Sequence, residues 1–358
     1  MTPRVFTLLI ALLLLLAACA TPTPAVEDRL AAGRAALLSG DVSKAVAELE
    51  AAVAADPKRA EVQVLLGQAY YRAGQPDKAR ERLQTGLQLD PQNADAQYLL
   101  GDLSFEAGQP GEAAQAYGKA VSLDPASRAA HPNVEKVIAP AREAGKQAAQ
   151  AQQWDQAAAL LEAVLVLQPD DTEARFTLGN VYFNVGSLDL AKAAYEAVLQ
   201  ISPKYAPALT NLGVLAYQAA DLERAVDLFK QALAIDPDDA ETRYLLGAAY
   251  LNLDKRDVAE TEFLRALELK PDMAEPHIGL GNVYLLKKDY AQAVDFLQRA
   301  VELAPDSPEA LFALGKTYAE MGERDEAVRT LQAFLQLDPM EPFKGQAQEL
   351  LNQLTSGP

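Results

Sequence analysis

The chain has 358 residues, half of them hydrophobic, with 32 Lys and Arg against 50 Asp and Glu, a formal net charge of −18 and a single Cys. That excess of acid argues against nucleic acid as a partner, because neutralising phosphates needs a cationic surface. One Cys cannot close an internal disulfide, and with only two His it cannot complete a zinc site of the usual kind, so no metal or other cofactor is expected.

The first eighteen residues read as a leader rather than as part of the fold. Arg4 supplies a positive start, and Leu8 to Leu16 form an apolar core interrupted only by Ala11. The apolar run Val5 to Ala18 is short of the roughly 20 residues a spanning helix needs. Leu16, Ala17, Ala18 and Cys19 then set a Leu and two small residues before the chain's single Cys. This resembles the lipobox of bacterial lipoproteins. The resemblance implies removal of residues 1–18, lipidation of Cys19 by diacylglycerol and fatty acyl chains such as palmitate, and anchoring to a membrane on its extracytoplasmic side. With Ala20 rather than Asp after the Cys, it implies the outer membrane where a cell has two. Residues 19–25 carry two Thr-Pro pairs and no apolar pattern, so they read as a short extended tether.

A 34-residue beat follows. Pro57, Pro91 and Pro125 keep it, and so do Pro169, Pro203, Pro237, Pro271, Pro305 and Pro339. Glycine holds another phase at Gly33, Gly67, Gly101, Gly145, Gly179, Gly213, Gly247, Gly281 and Gly315, and alanine a third at the nine positions from Ala45 to Ala327. The pattern resembles the tetratricopeptide repeat, a helix–turn–helix unit, and implies an all-α right-handed superhelical solenoid of nine repeats. The small residues have a steric reason. In the unit starting at Ala240, Gly247 in the first helix lets the second helix cross close to its backbone, and Ala259 faces that crossing. Pro271 ends the second helix. Asn93, Asp171, Asp239 and Ser307 stand where helix caps open the next unit.

Repeats 1–3 occupy residues 26–127 and repeats 4–9 residues 138–341, separated by an insertion at 128–137 that contains His131 and Pro132. The fourth repeat is the weakest, with Ala144, Ala148 and Val164 in place of the family's Leu, Tyr and Ala. With Pro132 and Pro140 nearby, the insertion reads either as a break between two stacked blocks or as a lengthened first helix with stacking continued. Residues 342–358 close the chain. Phe343, Ala347, Leu350, Leu351 and Leu354 make one apolar stripe, as a solenoid's capping helix requires, and Thr355 to Pro358 are expected to fray.

No nucleophile elbow, P-loop or metalloprotease motif occurs, so no catalytic residues and no enzymatic activity are expected. His131 and His277 read as surface residues and Trp154 as a packing residue. Asp170-Asp171 and Asp238-Asp239 fall in inter-repeat turns without the calcium-loop pattern. The working surface implied by the resemblance is the concave face, lined by positions 2, 5, 9 and 12 of each first helix. Here those places supply Tyr71, Tyr98, Phe105, Phe176, Asn180, Phe183, Tyr217, Tyr244, Ile278 and Asn282, joined by Asn211 at the sixth position. Position 2 is acidic in most repeats: Glu61, Asp95, Glu173, Glu241, Glu275 and Glu309. Asn180 followed by Asn211 resembles the carboxylate clamp for chaperone C-termini. The cations that clamp needs are missing, since the matching places hold Phe176, Glu241 and Leu245. The expected function is a membrane-anchored scaffold or assembly factor that docks a protein or peptide, basic in character, in an aromatic groove with an anionic edge. A component of polysaccharide export or secretion that binds glycan is the alternative.

Overall fold

A computed structural model describes residues 24–356, and among them there are helices and turns but no strand. The expected leader and Cys19 lie outside the described residues. The chain falls into two compact units, one ending at Val185 and the other beginning at Gly186.

In the first unit, α1 (Pro24–Ser39) pairs with α2 (Val42–Ala55), α3 (Ala60–Arg72) with α4 (Pro76–Leu89), and α5 (Ala94–Glu106) with α6 (Pro110–Leu123). A 3₁₀ turn (Pro125–Ala130) leads into the pair α7 (Asn133–Gln150) and α8 (Trp154–Leu167), and α9 (Thr172–Asn184) ends the unit. The second unit opens with α10 (Leu188–Ile201). It continues with the pairs α11 (Ala206–Gln218) and α12 (Leu222–Ile235), α13 (Ala240–Asn252) and α14 (Arg256–Leu269), α15 (Ala274–Leu286) and α16 (Tyr290–Leu303), then α17 (Pro308–Met321) and α18 (Arg324–Gln336). The final helix, α19 (Phe343–Ser356), packs on the last pair.

The beat of small residues is where each pair locks. A Cβ placed on Gly247 would lie 2.7 Å from the ring of Phe263 on the partner helix, and one on Gly67 would lie 2.7 Å from Leu83. Glycine is therefore needed for the approach, whichever large side chain fills the gap. Ala45, Ala79, Ala113, Ala157, Ala225, Ala259, Ala293 and Ala327 are all wholly buried. Each helix-to-helix turn carries one left-handed residue. It is Gly40, Gly74, Gly108, Gly186 or Gly322 in five turns, and Gln152, Ala220, Asp254 or Lys288 in the other four. Capping follows the sequence: the side chains of Asn93, Asp171, Asp239 and Ser307 accept from the backbone N–H of Ala96, Ala174, Thr242 and Ala310. Each satisfies a donor that the first helical turn leaves open.

The insertion is built as the 3₁₀ turn and a lengthened α7 of 18 residues, with Pro140 inside the helix on its exposed side. Packing continues across it. Tyr98 and Tyr117 before it share one buried cluster with Val134 and Val137 within it, and with Ile138, Leu161 and Val181 beyond. At the other end, Ala347 and Leu351 of α19 are buried against Leu311, Leu331 and Phe334, while Phe343 remains half-exposed with its edge on Phe312 at 5.3 Å. Where fraying was expected at the end, α19 runs through Ser356, and the Thr355 hydroxyl donates to the Leu351 carbonyl at 2.8 Å.

Candidate functional site

In the first unit the chain largely fills its own groove positions. Tyr71 and Phe105 are half-buried, and the Tyr71 hydroxyl donates to Glu106 at 2.5 Å. Burial, then that hydrogen bond, holds its pKa well above the usual tyrosine value. Tyr98, expected on the open floor, is fully buried and donates to the Asp124 carbonyl at 2.9 Å. What covers it is His131, expected to be a surface residue: its ring stacks flat on Tyr98, 3.9 Å between centroids and 2° between planes. Beside it, Asn133 donates to Asp102 at 3.0 Å, the same carboxylate that accepts from Tyr117 at 2.7 Å. The insertion thus folds its polar residues onto the groove positions of the third repeat. Phe176, Asn180 and Phe183 are half-buried on α9, and the Asn180 carbonyl accepts from Asn184 at 2.8 Å.

The fourth repeat adds two cations that motif-based reading passed over. Arg142 and Lys146 occupy the fifth and ninth positions of that repeat, counted from Ile138. Arg142 bonds Asp171 at 2.7 Å and Glu173 at 3.2 Å, and Lys146 bonds Glu173 at 2.5 Å. The Lys146 hydrogen bond depresses the Glu173 pKa, with Arg142 close by adding to the effect. At the first repeat Arg34 pairs in the same way with Glu61, which also receives Arg59 at 3.0 Å. Two acidic second positions of this unit are therefore neutralised from within.

The second unit is different. Tyr217 from α11, Tyr244 from α13, and Ile278 and Asn282 from α15 converge on a cleft of about 530 Å³. Phe263 backs the Tyr244 ring at 6.0 Å, and Leu251 adds aliphatic surface. Asn252 donates to the Tyr217 hydroxyl, fixing that ring. Glu275 and Glu309, second-position residues of α15 and α17, stand in the cleft wall. Burial raises the Tyr244 pKa, and Tyr217, Glu275 and Glu309 push it further. The ninth positions preceding these acids hold Ala248 and Asn282 instead of a cation. The arginines of this stretch are engaged elsewhere: Arg243 with Glu262, Arg265 with Glu268, and Arg299 with Asp272 and Glu302. Among the described residues, Glu241, Glu275 and Glu309 form no ion pair. Asn211, also expected among the groove residues, is half-buried on α11 and hydrogen-bonds the Tyr195 hydroxyl.

Trp154 opens α8 half-buried against the first unit's core. His277 is half-buried with Nε2 3.4 Å from the Pro271 carbonyl, and Nδ1 is buried without a partner. Among the described residues, no group of three His, Cys, Asp or Glu is placed to hold a metal ion, and no helix is long and apolar enough to cross a membrane.

Paired helices recurring every 34 residues, locked by a glycine opposite a large side chain, define a helical-hairpin repeat protein. Family models described as tetratricopeptide repeat match residues 36–103, 94–127, 170–238, 228–257, 244–308 and 284–354. The chain belongs to the tetratricopeptide repeat family. These matches leave 128–169 uncovered, the stretch that holds the insertion and the weak fourth repeat. No curated protein matches the sequence. Among solved structures it is similar to PilF of Pseudomonas aeruginosa, with a TM-score of 0.54 and 18% identity over 61% of this chain and 99% of that one. PilW, a widely conserved type IV pilus biogenesis factor, aligns with a TM-score of 0.54 and 18% identity over 59% of this chain and 98% of that one. The APC/C hetero-tetramer Cut9–Hcn1 matches 92% of this chain and 90% of its own, with a TM-score of 0.55 and 14% identity. At such identities the likeness is one of fold.

Proposed function

We propose that this protein is a membrane-tethered scaffold that docks a partner protein through an exposed segment laid in the cleft of the second unit. One observation carries the reading. Tyr217, Tyr244, Ile278 and Asn282, from three successive repeats, line a single cleft that combines rings, aliphatic surface, amides and carboxylates without ion pairs. Apolar pockets would take side chains of an extended or helical segment, and the amides would meet its backbone groups. The unpaired acids favour a segment bearing basic side chains and would speed its encounter. The role is binding rather than catalysis.

The tether is read from Leu16 to Cys19 alone. Cleavage before Cys19 and its acylation would hold the repeats at a membrane on the extracytoplasmic side, in the cell envelope, and raise the local concentration of the docking cleft. Assembly of an envelope structure fits such a role. The resemblance to PilW, a type IV pilus biogenesis factor, supports the fold and leaves the partner to be identified.

The test is capture from detergent-solubilised membranes by the tagged full chain, with Tyr217→Ala plus Ile278→Ala as the variant. Loss of the captured protein with unchanged far-ultraviolet circular dichroism supports docking in the cleft; undiminished capture refutes it. Cys19→Ala should move the protein from the membrane fraction to the soluble one, and continued membrane retention would refute the anchor.

A further inference from the structure

The two units differ at the same repeat positions. In the first, two acidic second positions are met by a cation of the chain itself, while Asp95, preceded by Gln68, is not: Arg142 has Nη1 2.7 Å from Asp171 and Nε 3.2 Å from Glu173, and Arg34 reaches Glu61. In the second, Glu275 and Glu309 occupy the matching second positions, but the residues that would reach them are Tyr244, Ala248, Ile278 and Asn282, none of them charged. The space a cationic side chain fills in the first unit is cleft in the second.

The first unit also shows what a fifth-position tyrosine does when a flat nitrogen-bearing group is offered to it. His131 covers Tyr98 at 3.9 Å with planes 2° apart, and a carboxylate, Asp102, stands 3.7 Å from its Nδ1. Tyr244 is the fifth-position residue of its own repeat, half-buried, backed by Phe263 at 6.0 Å, and bordered by carboxylates rather than covered by a ring of the chain. Ring, carboxylates and cleft volume thus meet at Tyr244.

We propose that the cleft reads an arginine side chain of the partner, its guanidinium laid on the Tyr244 ring and hydrogen-bonded to Glu275 and Glu309. This rests on the reading of the cleft as a peptide-docking site and names the side chain it selects. Arginine fits better than lysine for physical reasons. Its guanidinium is planar, so it can stack on an aromatic face, and its fork of donors can serve a carboxylate in bidentate fashion. It is also less strongly hydrated than an ammonium, so entering a half-buried cleft costs it less. Lysine would keep the charge and lose the stacking, whereas citrulline would keep the plane and lose the charge.

The experiment uses the full chain in detergent and three synthetic eight-residue peptides of leucine and glycine that differ only in a central arginine, lysine or citrulline. Binding is followed by fluorescence anisotropy at 50 and 300 mM salt. The arginine peptide should bind at least tenfold more tightly than the citrulline peptide, about 1.4 kcal/mol, since only the guanidinium makes charge-assisted hydrogen bonds to the two carboxylates. Lysine should fall between them, and the arginine advantage should shrink at high salt. In Glu275→Gln plus Glu309→Gln the three peptides should bind within about threefold of one another. Equal binding of arginine and citrulline peptides to the unaltered chain, weakened by Tyr244→Ala, would overturn the arginine reading while leaving the cleft a docking site. Absence of binding by the arginine peptide at millimolar concentration, with partner capture still lost in Tyr217→Ala plus Ile278→Ala, would overturn it in the same way. Undiminished partner capture in Tyr217→Ala plus Ile278→Ala would remove the docking site itself.

Discussion

Gly247→Ala is the sharpest perturbation of the helix pair that carries Tyr244. The added Cβ would lie 2.7 Å from Cδ1 and Cε1 of Phe263, where carbon atoms normally sit at about 3.5–4.0 Å. Phe263 is 1% exposed, and its far edge already lies against Gly279, where a Cβ would be 2.6 Å away. The ring is held between two glycines on neighbouring first helices and has no direction in which to retreat. Overpacking of this kind costs about 1–3 kcal/mol. Replacing a mid-helix glycine with alanine returns roughly 1 kcal/mol of helix propensity. With no relief for the ring, the upper part of the range applies, and the net loss should be about 2 kcal/mol. Gly118→Ala is the matched control, because its Cβ would meet Ala163 at an ordinary 3.6 Å. That variant should gain up to about 1 kcal/mol. Urea unfolding followed by circular dichroism measures both. In a Phe263→Ala background the obstruction is gone, so Gly247→Ala should then be neutral or stabilising, a coupling of about 2–3 kcal/mol between residues in contact. Equal or greater stability of Gly247→Ala in the unaltered chain, or the same sign for both glycines, would refute the packing account.

Other consequences follow from particular positions. Lys288 holds φ 60° in a turn where five other repeats have glycine, so Lys288→Gly should raise the urea midpoint by the equivalent of about 0.5–1 kcal/mol, and a lower midpoint would count against strain there. Asp171 is 3% exposed, caps α9 through Ala174 at 2.9 Å and receives Arg142 at 2.7 Å; Asp171→Ala should cost about 3 kcal/mol, above the roughly 0.5–2 kcal/mol of a lost cap alone. Burial, with Arg299 nearby, lowers the His277 pKa against the opposing Pro271 carbonyl, so the unfolded chain binds that proton first. Stability at this site is therefore complete above the unfolded value of about 6.5 and declines as pH falls below it. His277→Gln should show a smaller drop in urea midpoint between pH 7.5 and pH 5.5 than the unaltered chain, and an unchanged drop would exclude His277 as a source.

Periodicity exposes most of this fold because the locking contact is local and recurs. Gly247 and Ala259 reveal a crossing without any knowledge of what lies beyond the pair, and Asn93 or Ser307 mark a helix start from one turn of chain. Long-range coverage is another matter. Nothing around His131 announces that it lies flat on Tyr98, because that contact depends on how the 3₁₀ turn brings the insertion back over α5. Tyr98 consequently read as open floor and is wholly buried. Arg142 and Lys146 escaped notice for a different reason: the fourth repeat departs from the family pattern at Ala144 and Ala148, which hid the register. Counting fifth and ninth positions from Ile138 would have found both, and the shared 27-residue separation of Arg34 from Glu61 and of Lys146 from Glu173 would have pointed to their partners. The cleft residues Tyr217, Tyr244, Ile278 and Asn282 were legible because they keep the register of ordinary repeats. The absence of cations opposite Glu275 and Glu309 emerges only when the two units are compared position by position.

The most direct measurement is site-specific photo-crosslinking in living cells, with a benzophenone amino acid placed at Ile278 in the cleft or at Val258, an exposed residue of α14 that does not line it. A protein adduct of defined mass from position 278, absent at 258, is the predicted result. Adducts from position 258 alone, or the same adducts from both, would contradict docking in the cleft.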